Sequence, residues 1–289
     1  MPKIKLCAFA DESGAKAEVQ IDNLLKNGVY AVEMRSCDSI NVSEFTPDKA
    51  AEVYEKFASQ GIEIWSLGSP LGKIDISQPF ERHFDMLKRL VKTAHIMKTN
   101  KIRMFSYFVK RQDYAAMQDE VLSRMKKLCD YAASEDVVLC HENESEIFGA
   151  TVDNCRLLLD AQPRLRQVYD PANFLMWDED IAYALDKLYG DAYYFHIKDV
   201  VKSQKCIVPA GFGDGKIEEM VRRLDRDATF TIEPHLHIFG GYADIDKKQL
   251  KNKFTYADQP SAFAAAVAAF KDIMAKCGYI EEAKGIWTK

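Results

Sequence analysis

Hydrophobic positions along the chain fall into two textures that alternate from end to end. In the first, apolar, β-branched and aromatic residues crowd into short runs. These are KIKLCAFA (3–10), YAVEMR (30–35), IEIWSLG (62–68), KIRMFSYF (101–108), VVLCHEN (137–143), LRQVYDPAN (165–173), AYYFHIKDV (192–200) and ATFTIEPHL (228–236). In the second, apolar residues recur every three or four positions, the period of a helix with one buried face. VQIDNLLKNG, TPDKAAEVYEKFASQG, FERHFDMLKRLVKTAHIM, MQDEVLSRMKKLCDYAASED, TVDNCRLLLDAQ, DIAYALDKLYG, KIEEMVRRLDR and SAFAAAVAAFKDIMAKCG carry that period. Thr46-Pro47 and Thr151 read as helix starts, and Gly28, Gly61, Gly190 and Gly278 as stops.

Strand and helix therefore alternate eight times with no Pro/Gly/Ser-rich linker, which predicts a parallel sheet with crossover helices. An open doubly wound sheet would carry a glycine-rich phosphate turn after its first strand. Here that strand ends AFADESG. The expectation is a single (β/α)8 TIM barrel spanning 1–289 as one α/β domain. Longer loops at 69–79, 201–215 and 237–258 are candidates for a lid or for substrate contacts.

Composition narrows the class. With 47% hydrophobic and 29% charged residues, the 289-residue chain reads as a soluble globular protein with a sizeable core. A formal net charge of −5 argues against a nucleic-acid partner or an anionic membrane surface. The seven cysteines form no C-x-x-C pair and sit in apolar or helical patterns, which fits reduced, buried thiols. The N-terminal apolar stretch is too short for a signal peptide, and no run approaches a membrane span. The expected location is cytoplasmic.

In a TIM barrel the chemistry lies at the C-terminal ends of the strands. The fifth run ends in Glu142, Asn143 and Glu144, and the sixth in Asp170 and Asn173. The seventh ends in His196, Lys198 and Asp199, and the eighth in Glu233 and His235. Side chains two apart share a strand face. His196 and Lys198 therefore face the barrel together while Phe195, Ile197 and Asp199 face away. Two Glu, one Asp and one His converge on one rim, a set suited to a divalent cation such as manganese, magnesium or cobalt, with zinc also open. Singly, each has a plainer reading as a solvated rim carboxylate, a turn cap or a hydrogen-bonded histidine.

VVLCHENE, YDPAN, FHIKD and TIEPH resemble the sugar isomerase/epimerase branch of the xylose isomerase-like TIM barrels. AFADE, GSPLGK and IRMFS are similar to that branch's strand ends, so the resemblance runs nearly the whole length. It implies one divalent metal ion held by Glu142, Asp170, His196 and Glu233, spaced 28, 26 and 37 residues apart. It also implies a sugar or polyol substrate reacting through an enediolate, with Glu142 and Glu233 as acid and base. Homo-oligomers are common in that family, so a homo-oligomer is an expectation carried by the resemblance. Two positions depart from the epimerase pattern. Asn173 stands where those enzymes carry a substrate-binding His, and Lys202 where they carry an Arg. An inosose-type dehydratase is therefore an alternative.

Lys198 and Lys73 are further candidates for substrate contact, each balanced by a plainer reading: an ion pair of Lys198 with Glu144 or Asp170, and a solvated Lys73. His235 is a candidate pocket-wall residue. Glu33 and Arg103 could pair inside the barrel or line the pocket. GFGDGK (211–216) lacks P-loop spacing and reads as a flexible loop near substrate. Trp65 and Phe105 read as core rather than as sugar platforms. Two rival functions are an apurinic-endonuclease-like phosphoesterase, for which the chain is short of histidines, and a non-catalytic sugar-binding barrel, which has no need of a full ligand set.

Overall fold

The structure is a computed structural model that describes residues 1–237, 251–252 and 254–289. Eight parallel strands close into a barrel. They are β1 (Lys3–Ala8), β2 (Ala31–Met34), β3 (Glu63–Gly68), β4 (Lys101–Met104), β5 (Val138–Glu142), β6 (Arg166–Tyr169), β7 (Ala192–Ile197) and β8 (Ala228–Ile232). Neighbours in sequence pair in space, and β8 closes on β1 with Ile4–Ala8 opposite Ala228–Ile232. The crossover helices are α1 (Ala17–Lys26), α2 (Pro47–Ala58), α3 (Phe80–Ile96), α4 (Tyr114–Ser134), α5 (Val152–Ala161), α6 (Pro171–Met176), α7 (Ile181–Leu188), α8 (Ile217–Arg222) and α9 (Gln259–Lys276). Thr46 and Thr151 cap α2 and α5 by accepting the Lys49 and Asn154 backbone N–H groups.

The strand faces divide as the alternation requires. Phe195 turns outward, stacks on Phe230 at 4.7 Å and joins the apolar layer beneath the helices. Inside the barrel, Cys7, Ala31, Trp65, Cys140, Val168 and Tyr194 pack into a separate small cluster. All seven cysteines are free thiols, and none is fully exposed. Among the described residues no helix is long and apolar enough to cross a membrane.

The apolar runs overshoot the strands at the upper rim. LRQVYDPAN stops being strand at Tyr169, because Pro171 starts α6 with Asp170 as its cap. AYYFHIKDV leaves the main sheet after Ile197. Asp199–Val201 then pairs antiparallel with Cys206–Val208, which pairs in parallel with Lys251–Asn252. The 69–79 loop is stitched down: Phe105, Tyr107 and Phe108 donate their N–H groups to the carbonyls of Leu71, Gly72 and Ile74. Residues 238–250 and 253, most of the 237–258 loop, lie outside the described residues.

Two features differ from expectation. The GFGDGK segment is neither a phosphate cradle nor a loose loop. Its backbone wraps the Asp199 carboxylate, which accepts N–H bonds from Gly211, Gly213 and Gly215 at 2.9–3.1 Å and from Val200 at 2.9 Å. A Cβ on Gly213 would lie 2.3 Å from Asp199 Oδ1, so the close approach requires glycine there. The second feature is a C-terminal hairpin of β9 (Ile280–Ala283) and β10 (Ile286–Thr288). β1 meets β2 only at Ala8 opposite Val32, which leaves its lower edge open; β10 covers that edge through Lys3–Lys5.

Replacing Asp199 by Ala strands several backbone donors at once. Asp199→Ala should lower unfolding free energy by about 3 kcal/mol, measured by urea denaturation. An unchanged midpoint would show that the glycine loop holds itself.

Candidate metal centre

Strand ends β5, β6, β7 and β8 deliver Glu142, Asp170, His196 and Glu233 to one point, and all four are buried. One ligand atom from each lies within 4.8 Å of all the others. His196 Nδ1 is 3.1 Å from Glu142 Oε1 and 3.0 Å from Glu233 Oε2. The other ring nitrogen, Nε2, is 3.1 Å from Glu33 Oε2, and Glu33 also accepts from the Tyr194 hydroxyl at 2.8 Å. An ionised carboxylate only accepts, so Glu33 fixes a proton on Nε2 and aims Nδ1 at Glu142 and Glu233, where it donates while protonated and would turn its lone pair to a bound cation.

Asp170 divides its two oxygens. Oδ1 caps α6 by accepting the Asn173 N–H at 2.9 Å, while Oδ2 faces the cluster. Asn143 locks the β5 and β6 tips together, accepting the Asp170 N–H at 3.0 Å and donating to the Asp170 carbonyl at 2.8 Å. Asp170 Oδ2, His196 Nδ1 and Glu233 Oε2 are buried and have no hydrogen-bond partner. Only the Lys198 ammonium and the His196 ring offset the charge of these converging oxygens, and a cation between them would relieve the remaining repulsion. The donor set of three carboxylates and one imidazole fits one divalent ion.

Around the ligands runs a ring of charge. Arg103 donates to Glu142 Oε2 at 2.6 Å. Arg35 holds Asp11 in a two-point bond at 2.9 and 3.0 Å, reaches Glu12 at 3.2 Å and Glu233 Oε1 at 3.1 Å, and lies 4.4 Å over the Phe9 ring. The Lys198 ammonium is 3.0 Å from Asp170 Oδ2 and 3.7 Å from Glu233 Oε2. Burial pushes Asp170 up to about 6, with Glu142 and Glu233 adding to the rise against the nearby Lys198. Burial also opposes charge on Glu233, yet Lys198 and His196 hold it well below the usual carboxylate range. Desolvation disfavours imidazolium at His196, but Glu142, Glu33 and Glu233 outweigh it and raise its pKa.

A family model for the xylose isomerase-like TIM barrel matches residues 21–258. The chain belongs to this family. No curated protein matches its sequence. Among solved structures it is similar to the probable 3-DHS dehydratase AsbF from Bacillus anthracis, with 17% identity, a TM-score of 0.69, and 94% of this chain and 99% of that one covered. It is also similar to the IOLI protein with a bound zinc atom, with 15% identity, a TM-score of 0.70, and 94% and 98% covered. A D-psicose 3-epimerase from Clostridium cellulolyticum gives 15% identity, a TM-score of 0.67, and 94% and 99% covered.

In this xylose isomerase-like barrel the remaining candidates sit as follows. Asn173 Nδ2 donates to Glu142 Oε1 at 3.2 Å and to the Asn143 carbonyl, so it braces a ligand. Lys202 is not brought to the cluster: its ammonium binds the carbonyls of Asp178 and Glu179. Lys73 pairs with Glu144 at 3.1 Å and lies 4.4 Å above Phe105, beside rather than within the cluster. His235 has a left-handed backbone (φ 46°) and faces Glu12 at 3.0 Å and Glu233 at 3.5 Å. Glu33 and Arg103 serve different ligands and do not pair with each other.

Asp11, Glu12 and Arg35 were not legible as site residues. Their signal was a charged pair just beyond the first run and an arginine ending the second, and each alone reads as rim polarity. Because Arg35 anchors the far oxygen of Glu233, Arg35→Met should weaken Mn2+ binding by about tenfold or more, read by calorimetry. Glu33→Gln should act in the same direction by releasing the His196 tautomer. Affinities equal to that of the unaltered protein in both variants would show that these partners do not orient the ligands.

Proposed function

We propose that the chain is an enzyme using one divalent cation to isomerise or epimerise a small polyhydroxy ketone or aldehyde through an enediolate. The observation that carries this reading is the convergence of Glu142, Asp170, His196 and Glu233, with one ligand atom of each within 4.8 Å of the others and three of those atoms buried without a hydrogen bond. A divalent cation supplies Lewis acidity there, which acidifies the C–H beside a substrate carbonyl. The activities named for the similar structures, a 3-epimerase and a probable dehydratase, support carbonyl-adjacent chemistry of this kind.

Glu142 and Glu233 are assigned the acid and base roles. Lys198 and His196 hold Glu233 ionised, and His196 and Arg103 hold Glu142, the state a base needs; the glutamate on the opposite face must take up a proton before it acts as the acid. The base takes the proton from carbon, and the electron pair moves to the carbonyl oxygen. Return of the proton from the opposite face inverts the centre; return to the neighbouring carbon exchanges aldose and ketose. Lys198, fully protonated between Asp170 and Glu233, is placed to donate a hydrogen bond to a substrate oxygen. A dehydratase is the second reading. It is favoured by Asn173 and Lys202, which replace two residues of the epimerase pattern. A three-zinc phosphoesterase is disfavoured, because His83, His95 and His141 are spent on Gly72, Glu135 and Ser106.

Ketoses, aldoses, their phosphates and inososes, incubated with Mn2+-loaded protein in deuterated water, should show deuterium entering carbon next to a carbonyl for at least one substrate, read by NMR. Absence of exchange across that panel would overturn the enzymatic reading. Glu233→Gln should lower turnover by about a thousandfold or more while the barrel stays folded, as removal of a positioned base does. Near-normal turnover of the metal-loaded variant would refute its role.

A further inference from the structure

A second cavity lies at the opposite end of the barrel, below the Cys7, Trp65, Cys140 and Tyr194 layer. It has a volume of about 330 Å³, within the range of small-ligand sites. Lys3, Lys5, Lys101, Trp65, Tyr193 and Thr229 contribute to its wall, from the first residues of five barrel strands and their flanks. Ile286 of the C-terminal hairpin closes one side, so the hairpin that covers β1 also builds this site.

The charge here runs against the chain's net charge of −5. Lys5 is matched by Glu63 at 2.5 Å. Asp227 is occupied by a backbone donor, the Lys3 N–H at 2.8 Å. The other two ammonium groups lack a carboxylate. Lys101 sits 4.9 Å over the Trp65 ring and touches only Asn100 Oδ1 at 3.3 Å, and burial lowers its pKa. The Lys3 ammonium has no hydrogen bond or ion pair among the described residues. Glu63 acts on Lys101 only at a distance and Asp227 also lines the cavity, so a partly desolvated ammonium with no carboxylate in contact is a cost that a bound anion would reduce. Trp65 and the half-exposed Tyr193 add aromatic wall.

We propose that this basal cavity binds a small organic anion, a carboxylate or phosphate monoester on a flat ring, with the anionic head on Lys101 and Lys3. The metal centre takes no part in this binding, so the two functions stand or fall separately.

The probes are benzoate and phenyl phosphate, with benzyl alcohol as the uncharged control, titrated into the full chain by calorimetry and followed by ligand-observed NMR. Saturable binding of at least one anion is expected, and markedly weaker binding of benzyl alcohol. Lys101→Met should weaken it by about tenfold, the loss of one charge-assisted contact; Lys101→Arg should restore it. Lys3→Met, on an exposed side chain, should weaken it without any effect on folding. Glu233→Gln should leave it unchanged. The proposal is overturned if neither anion binds saturably, if Lys101→Met and Lys3→Met bind as tightly as the unaltered protein, or if Glu233→Gln abolishes binding, which would move the anion to the metal centre.

Discussion

Mutual repulsion among buried carboxylates is the constraint that shapes the upper half of this barrel. Asp11, Glu12, Glu33, Glu142, Asp170 and Glu233 are all buried there, against the fixed cations Arg35, Arg103 and Lys198. Like charges packed this closely in low dielectric would protonate or push the strand ends apart. The arrangement persists because each glutamate ligand gives one oxygen to an arginine and keeps the other for the cluster. Arg35 takes Glu233, Arg103 takes Glu142, and the remaining negative charge falls where a divalent ion fits.

The surrounding structure holds those oxygens in direction. Glu33 orients the His196 ring from below, and Asn143 and Asn173 tie the tips of β5 and β6 to the start of α6. Asp170 is at once a helix cap and a cluster member, so its backbone position is set by α6 rather than by the strand alone. Asp199, next door to Lys198, faces the other way and organises the glycine loop. Scaffold and site thus share adjacent residues of one short run, separated only by which face each one takes.

The barrel and the convergence of Glu142, Asp170, His196 and Glu233 were readable because both rest on local rules. Strand and helix periods count elements directly, and a residue's place in a strand fixes its face. The partners of the ligands were not readable. Arg35 meets Asp11 and Glu233, and Glu33 meets His196, across 24 to 198 residues of sequence. Run ends were misjudged for a related reason: DPAN and IKDV continue the apolar texture while Asp170 already caps a helix and Lys198 already departs from the sheet.

The C-terminal hairpin and the glycine loop mark the boundary most clearly. YIEEAKGIWT has no strong strand signal, and it becomes a hairpin only because β1 presents an unpaired lower edge. GFGDGK reads from sequence as a flexible loop, and it is instead fixed around the chain's own Asp199 carboxylate. Sequence by itself determined the eight barrel strands and their order and the face of each strand-end residue, which brings Glu142, Asp170, His196 and Glu233 to one rim, since these follow from periodicity and strand-end position. Only the tertiary structure decided which charges neutralise which and which edges need covering, since those depend on through-space distances between segments far apart in the chain.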